Sequence, residues 1–164
     1  MKTILHWKKG PFNSTSTIYS AEGAIGHLRE NSWKQTAEGE INKKKYYFRT
    51  RGFFNQVCEI FAPDTNYIIG KIEYNTLKNR AEITYLGQSF HWKYDNFWQT
   101  RWSICDDRDL FITFQGSMGK GTIESADLTE FLALTGLFIR NYYVQSIIVI
   151  FIAIFVPIIA SLSH

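Results

Sequence analysis

Three stretches of this chain carry residue types and spacings that could do chemistry. Gly116-Ser-Met-Gly-Lys-Gly-Thr122 has the glycines and lysine of a phosphate-cradling loop. Such a loop needs glycine where Phe114 stands and Ser or Thr where Gly121 stands, and it opens a helix. Here a strand-like run follows, so the segment reads as a glycine-rich hairpin. Cys105-Asp-Asp-Arg-Asp109 clusters three carboxylates. A calcium loop needs more oxygen ligands at regular spacing, so a polar turn is the better reading. Asn42-Lys-Lys-Lys45, with Arg49 and Arg51, is the densest basic segment. It reads either as a solvated hairpin or as a contact for lipid headgroups made by Lys43, Lys44, Lys45, Arg49 and Arg51, where each cation near an anionic surface contributes about 1 kcal/mol.

The remaining titratable groups form no reaction centre by motif. His6, His27, His91 and His164 lie far apart, and no pair has metal-ligand spacing. His91, in an aromatic run, reads as a packed or surface residue. No Ser, His and Asp arrangement follows a hydrolase motif. The expectation is a chain that is not an enzyme and takes no cofactor and no metal. A net charge of +3 without a concentrated basic stripe does not suggest a nucleic-acid partner. Cys58 and Cys105 form no CxxC pair and read as core residues of a reducing compartment.

The elements that would position these residues begin with the tail. From Asn141 to Ser163 there is no Asp, Glu, Lys or Arg. A membrane-spanning helix needs about 20 mostly apolar residues. Phe131 to Ile139 is apolar too, and Arg140 is the only charge between the two runs. Asp127 with Glu130 suggests a capping box at the start of the helix. Upstream the chain is polar, strand-like and aromatic, with 13 Phe, 9 Tyr and 5 Trp. Alternating runs separated by Gly, Pro, Asn and Asp breakers give roughly twelve strands. Their starts fall near residues 3, 14, 24, 33, 45, 55, 67, 80, 89, 97, 109 and 120.

The chain also repeats itself 44 residues on. Tyr46-Tyr-Phe-Arg-Thr-Arg-Gly-Phe-Phe-Asn-Gln56 aligns with Phe90-His-Trp-Lys-Tyr-Asp-Asn-Phe-Trp-Gln-Thr100, and Ile25-Gly26 with Ile69-Gly70. Phe53-Phe54 falls on Phe97-Trp98. Two copies are too few for a solenoid, so a barrel or sandwich of two related halves is expected.

About a dozen strands in duplicated halves, closed by one apolar C-terminal helix, resemble the tubby C-terminal superfamily. That group includes the tubby domain, the plant LURP-one-related proteins and the phospholipid scramblases. The resemblance is carried by Ile68-Ile-Gly-Lys-Ile72, Gly87-Gln-Ser-Phe-His-Trp92, Gly121-Thr-Ile-Glu124 and Glu130-Phe-Leu-Ala-Leu-Thr-Gly-Leu-Phe-Ile139. It implies a mainly β fold, a twelve-stranded antiparallel barrel wrapped around a hydrophobic helix, and lipid recognition. The basic residues through which tubby domains bind phosphoinositide have no matching positions here. The cysteine-rich segment of scramblases is absent.

A helix from Leu128 to Leu162 would exceed about 50 Å, and a small barrel's strands are about 17–20 Å long. The rod is therefore expected to divide. Residues 1–127 form the barrel, 128–140 thread it, and 141–164 form a transmembrane segment. Ala133 and Gly136 would let the threading part lie close to its surroundings. Arg140, Tyr142 and Tyr143 would mark the membrane interface. Burial of the whole rod in a soluble barrel or an oligomer is the alternative. The start of the chain lacks a signal peptide's apolar core. The expectation is a single-pass, tail-anchored barrel on the cytoplasmic side, contacting membrane lipid or a membrane protein as a scaffold. A scramblase-type lipid-handling protein is the second reading.

Overall fold

The computed structural model describes residues 2–52, 56–117 and 119–163. The Phe53-Phe54 part of the repeat, Met118 of the glycine-rich segment and His164 lie outside the described residues. The chain forms β1 (Thr3–Lys9), β2 (Thr15–Ser20), β3 (Gly23–Asn31), β4 (Thr36–Ile41), β5 (Lys44–Arg51) and β6 (Val57–Phe61). These are followed by β7 (Ile68–Asn75), β8 (Arg80–Tyr85), β9 (Gln88–Tyr94), β10 (Arg101–Cys105), β11 (Leu110–Ser117) and β12 (Lys120–Ser125). One helix, α1 (Glu130–Leu162), ends the fold. Every strand pairs antiparallel with its sequence neighbours, and β1 pairs with β12, so the sheet closes into a barrel. The expected twelve strands and the closing helix are there. Two expected strand starts fall short of the observed ones: Trp33 and Phe97-Trp98 sit in loops, and β4 and β10 begin at Thr36 and Arg101.

Alternation explains the closure. In β8, Ala81 and Ile83 are buried while Arg80 and Glu82 face water, the period-2 pattern of a half-buried strand. Interior width grows with strand number, and eight strands are already filled by side chains alone. Twelve leave room for a helix, whose diameter with side chains is about 10–12 Å.

The repeat is real, but each unit is a third of the barrel, not a half. The unit β3–β6 recurs as β7–β10, with Thr36 answering to Arg80 and Val57 to Arg101. The four remaining strands, β11, β12, β1 and β2, follow the same plan across the closure. In each unit one large aromatic faces inward between a small residue and an isoleucine. Phe48 pairs with Ala37 and Ile60. Trp92 pairs with Ala81 and Ile104. Trp7 pairs with Gly121 and Ile18. Immediately after each of those isoleucines the ladder slips by one residue. Such a bulge bends the sheet and increases its twist, and three of them at equivalent places help it close. The third unit escapes a reading by simple offset because its strands come from both ends of the chain.

The helix enters at one end and leaves at the other. Glu130 receives hydrogen bonds from Asn42 and Lys44 at the β4–β5 turn. The Tyr143 hydroxyl donates to the Arg80 carbonyl at the opposite end. Between them Phe131 to Ile139 are all buried. Phe131 stacks on Tyr85 with centroids 3.8 Å apart, and Phe138 on Phe48 at 4.6 Å. Trp92 Nε1 donates to the Gly136 carbonyl at 3.2 Å. The expected capping box does not form. Thr129, not Asp127, is the N-cap and makes no side-chain cap hydrogen bond, so Glu130 is the first helical residue and its carboxylate is held by Asn42 and Lys44.

Candidate functional site

The barrel covers the helix through Tyr143, and every residue from Ile147 to Leu162 is exposed. This moves the expected boundary at residue 140 about six residues along the chain. The helix Glu130–Leu162 is long and apolar enough to cross a membrane. Its exposed part, Ile147 to Leu162, rises about 24 Å. The helix continues without a break through Pro157. The burial also bears on the alternative reading, because the barrel does not enclose the whole rod.

The root of the projecting rod is fixed by polar and aromatic contacts. Tyr142 stacks on Tyr74 at 3.8 Å, and Tyr143 on Trp92 at 5.4 Å. The Arg140 guanidinium lies 5.4 Å from the Trp7 ring and 5.5 Å from the Trp102 ring, within cation–π range. Asn141 Nδ2 donates to Glu30 Oε2 at 2.7 Å, and Lys9 Nζ meets the same oxygen at 2.9 Å. Burial raises the Glu30 carboxyl above its ordinary value despite these partners. Arg140, Tyr142 and Tyr143, expected at a membrane interface, pack against the barrel near its helix-exit end and lock the helix to the wall there. Glu30 and Lys9 escaped the sequence reading because Asn141 is 111 residues from Glu30.

The basic segment is also redistributed. Lys43 sits in the β4–β5 turn, at the end where the helix enters. Lys44 pairs with Glu130 at 3.2 Å and Lys45 with Glu40 at 3.9 Å. Arg49 and Arg51 share Glu59 at 3.2 and 3.1 Å. Lys45, Arg49 and Arg51 lie on the outward face of β5, spaced along it at about 3.4 Å per residue, so these cations are strung along the wall from one end of the strand to the other. Only Arg51 reaches the helix-exit end. Lys45 and Arg49 line a cleft of about 810 Å³ on the outer wall, with Tyr47 and the Ala62–Asn66 loop.

Other sequence candidates resolve into structure. Gly116 and Gly121 lie under Trp7: a Cβ on either would sit 2.6–2.7 Å from its ring. The glycine-rich segment is thus a hairpin shaped by an indole. Asp106 accepts hydrogen bonds from the backbone of Arg108 and Asp109, closing the polar turn. His91 bridges Glu82 at 2.6 Å and Asp107 at 2.9 Å. Cys58 and Cys105 are free thiols. Burial pushes the Cys58 thiol up to about 12, which leaves it unreactive.

What the arrangement offers is mechanical: a rigid apolar rod, clamped in a barrel, projecting from one end. Compared with protein-family models, curated proteins and solved structures, the chain matches none.

Proposed function

We propose that this protein is a single-pass, tail-anchored membrane protein whose barrel stays on the cytoplasmic side. It would work as a non-enzymatic, tubby-like module that contacts lipid or holds a partner at the membrane. The observation that carries this reading is the exposure of Ile147 to Leu162 on a helix whose first half is locked inside the barrel. Sixteen consecutive exposed residues, nearly all Ile, Val, Phe, Leu or Ala, need an apolar medium. A lipid-moving role is not favoured. It would need a polar path for headgroups, and Ile147 to Ile159 presents no polar side chain.

The test uses two chains. The full chain should require detergent and remain in the membrane pellet after carbonate extraction. A chain ending at Ser146 keeps every contact of Asn141 and Tyr143 and should fold without detergent. A full chain that purifies as a detergent-free monomer would overturn the anchor.

A further inference from the structure

The six links β1–β2, β3–β4, β5–β6, β7–β8, β9–β10 and β11–β12 all gather at the end where the helix leaves. Among the described residues, four of them lift large apolar side chains into solvent. Phe12 stands in the first, Trp33 in the second, Leu77 in the fourth, and Phe97 with Trp98 in the fifth. Their exposure runs from 79% for Trp98 to 109% for Phe12. These are not core residues that slipped outward. They sit in tight turns held by their own hydrogen bonds. Lys34 N binds Asn31 Oδ1, Lys78 N binds Asn75 Oδ1, and Thr100 N binds Asn96 Oδ1. Asn79, in the left-handed region at φ 50°, ends the short 3-10 turn that raises Leu77. A polar framework thus presents each apolar tip.

Charge is sorted along the same axis. Around the helix-exit end stand Lys34, Lys78, Arg80, Arg101 and Lys120, in the loops or at their edges. The opposite end carries Glu22, Asp64, Asp106, Asp107, Asp109 and Asp127 in its links against Lys43 and Arg108, while Asp95 is the one carboxylate among the described residues of the exit-end links, so the balance is basic at one end and acidic at the other.

We propose that this crown of loop tips is a membrane-docking surface that inserts into the headgroup region of a bilayer containing anionic lipid. The inference rests on the anchored reading and adds a second contact to it. Geometry makes the case. The helix passes from the barrel into its apolar stretch with no linker: Ser146 is still half-buried and Ile147 is exposed. Because the helix is continuous and clamped at its root, the barrel cannot swing away from the bilayer. A span that begins at Ile147 holds the rim at the surface, so the loop tips must meet lipid. Aromatic side chains with lysines and arginines beside them are the chemistry that an interface accepts. The basic surroundings suit an anionic leaflet, and the acidic end faces away from it.

Trp33 and Trp98 report on this directly, since Trp7, Trp92 and Trp102 are buried in the barrel. The full chain is reconstituted into phosphatidylcholine vesicles, with and without phosphatidylserine, and with bromines on the acyl chains near the glycerol as quencher. W33F and W98F variants identify the emission of each tip, and both positions are exposed enough to leave folding intact. The expected result is loss of the Trp33 and Trp98 emission on brominated vesicles, greater when phosphatidylserine is present. Vesicle flotation is measured alongside. If the chain floats with the vesicles while both tip signals survive unquenched, the anchor stands and the crown is overturned. Equal quenching with and without phosphatidylserine removes the anionic preference. A chain that does not float overturns the anchor and the crown with it.

Discussion

Gly136 sets how closely the helix lies against the barrel wall. A Cβ there would fall 2.2 Å from Phe114 Cζ, on a ring that is fully buried and stacked on Trp102 at 5.5 Å. The ring cannot turn away without displacing its neighbour. Gly136→Ala is therefore expected to destabilise the protein by about 1–3 kcal/mol through overpacking, even though alanine is the better helix former. Thermal unfolding measures it. Adding Phe114→Leu should recover part of the loss, whereas additive losses would show that the two sites do not meet. Leu134 makes the complementary case. It is fully buried and faces Gly39, and Leu134→Asp places a lone carboxylate in the core at a cost of several kcal/mol. The variant should aggregate on expression, and an unchanged melting temperature would exclude the buried position.

His91 adds a pH dependence at the same scale. Both ring nitrogens face carboxylates, and both can donate only in the imidazolium. The Asp107 hydrogen bond, then that of Glu82, holds the His91 pKa above 6.5 in the folded protein. A raised folded value gives stability that is complete below the unfolded value and fades as pH rises through the folded one. The melting-temperature gap between the parent and His91→Gln should thus be widest below the ordinary histidine value and close as pH rises beyond it. Because the ring is partly exposed, the gap should be small. A gap that stays constant with pH would dismiss the double ion pair.

At the scale of elements, the three units make a comparison that a single barrel seldom allows. Ala37, Ala81 and Gly121 hold equivalent places beside Phe48, Trp92 and Trp7. The glycine is required in the third unit because a Cβ on Gly121 would meet Gln115 O at 1.9 Å and Trp7 Nε1 at 2.7 Å. Gly121→Ala should therefore cost more than Ala81→Gly, which loses about 0.5–1 kcal/mol of backbone entropy. Denaturant midpoints of the two variants decide it, and the reverse order would show that the units are equivalent only in outline. The strand pattern was legible in the sequence because alternation and breakers are local. The offset of 44 residues was visible because β3–β6 and β7–β10 are each continuous. The third unit was not, since β12 and β1 meet only on closure. Phe97 and Trp98 show the limit of composition. Aromatic residues signal strands on average, yet here hydrogen bonds from Thr100 N and Arg101 N to Asn96 Oδ1 turn the chain before the strand begins. The clamp at Arg140, Asn141 and Tyr143 was equally hidden, because its partners come from β1, β3, β8, β9 and β10.

For the whole molecule, folding changes which charges count toward orientation. By sequence, Arg140 is the only cation close to the apolar stretch, and it is folded inside the rim against Trp7 and Trp102. The cations that stand at the foot of the projecting helix come from distant loops: Lys34, Lys78, Arg80, Arg101 and Lys120. In the proposed orientation their positive charge meets the cytoplasmic leaflet, which is the negative one. The positive-inside bias is usually counted over residues near the span. Here closure of the barrel brings them together from distant loops. Protease added outside intact cells or right-side-out vesicles should leave the barrel whole, and opening the membrane should expose the loops to cleavage. Lys34 and Lys78, in turns at the helix-exit end, are the sites to follow. If the bilayer also covers the crown, those two sites should be slower than Lys43, in the turn at the far end, and detergent should abolish the difference. Cleavage in intact cells would reverse the orientation, while equal rates at Lys34, Lys78 and Lys43 would leave the barrel standing clear of the surface.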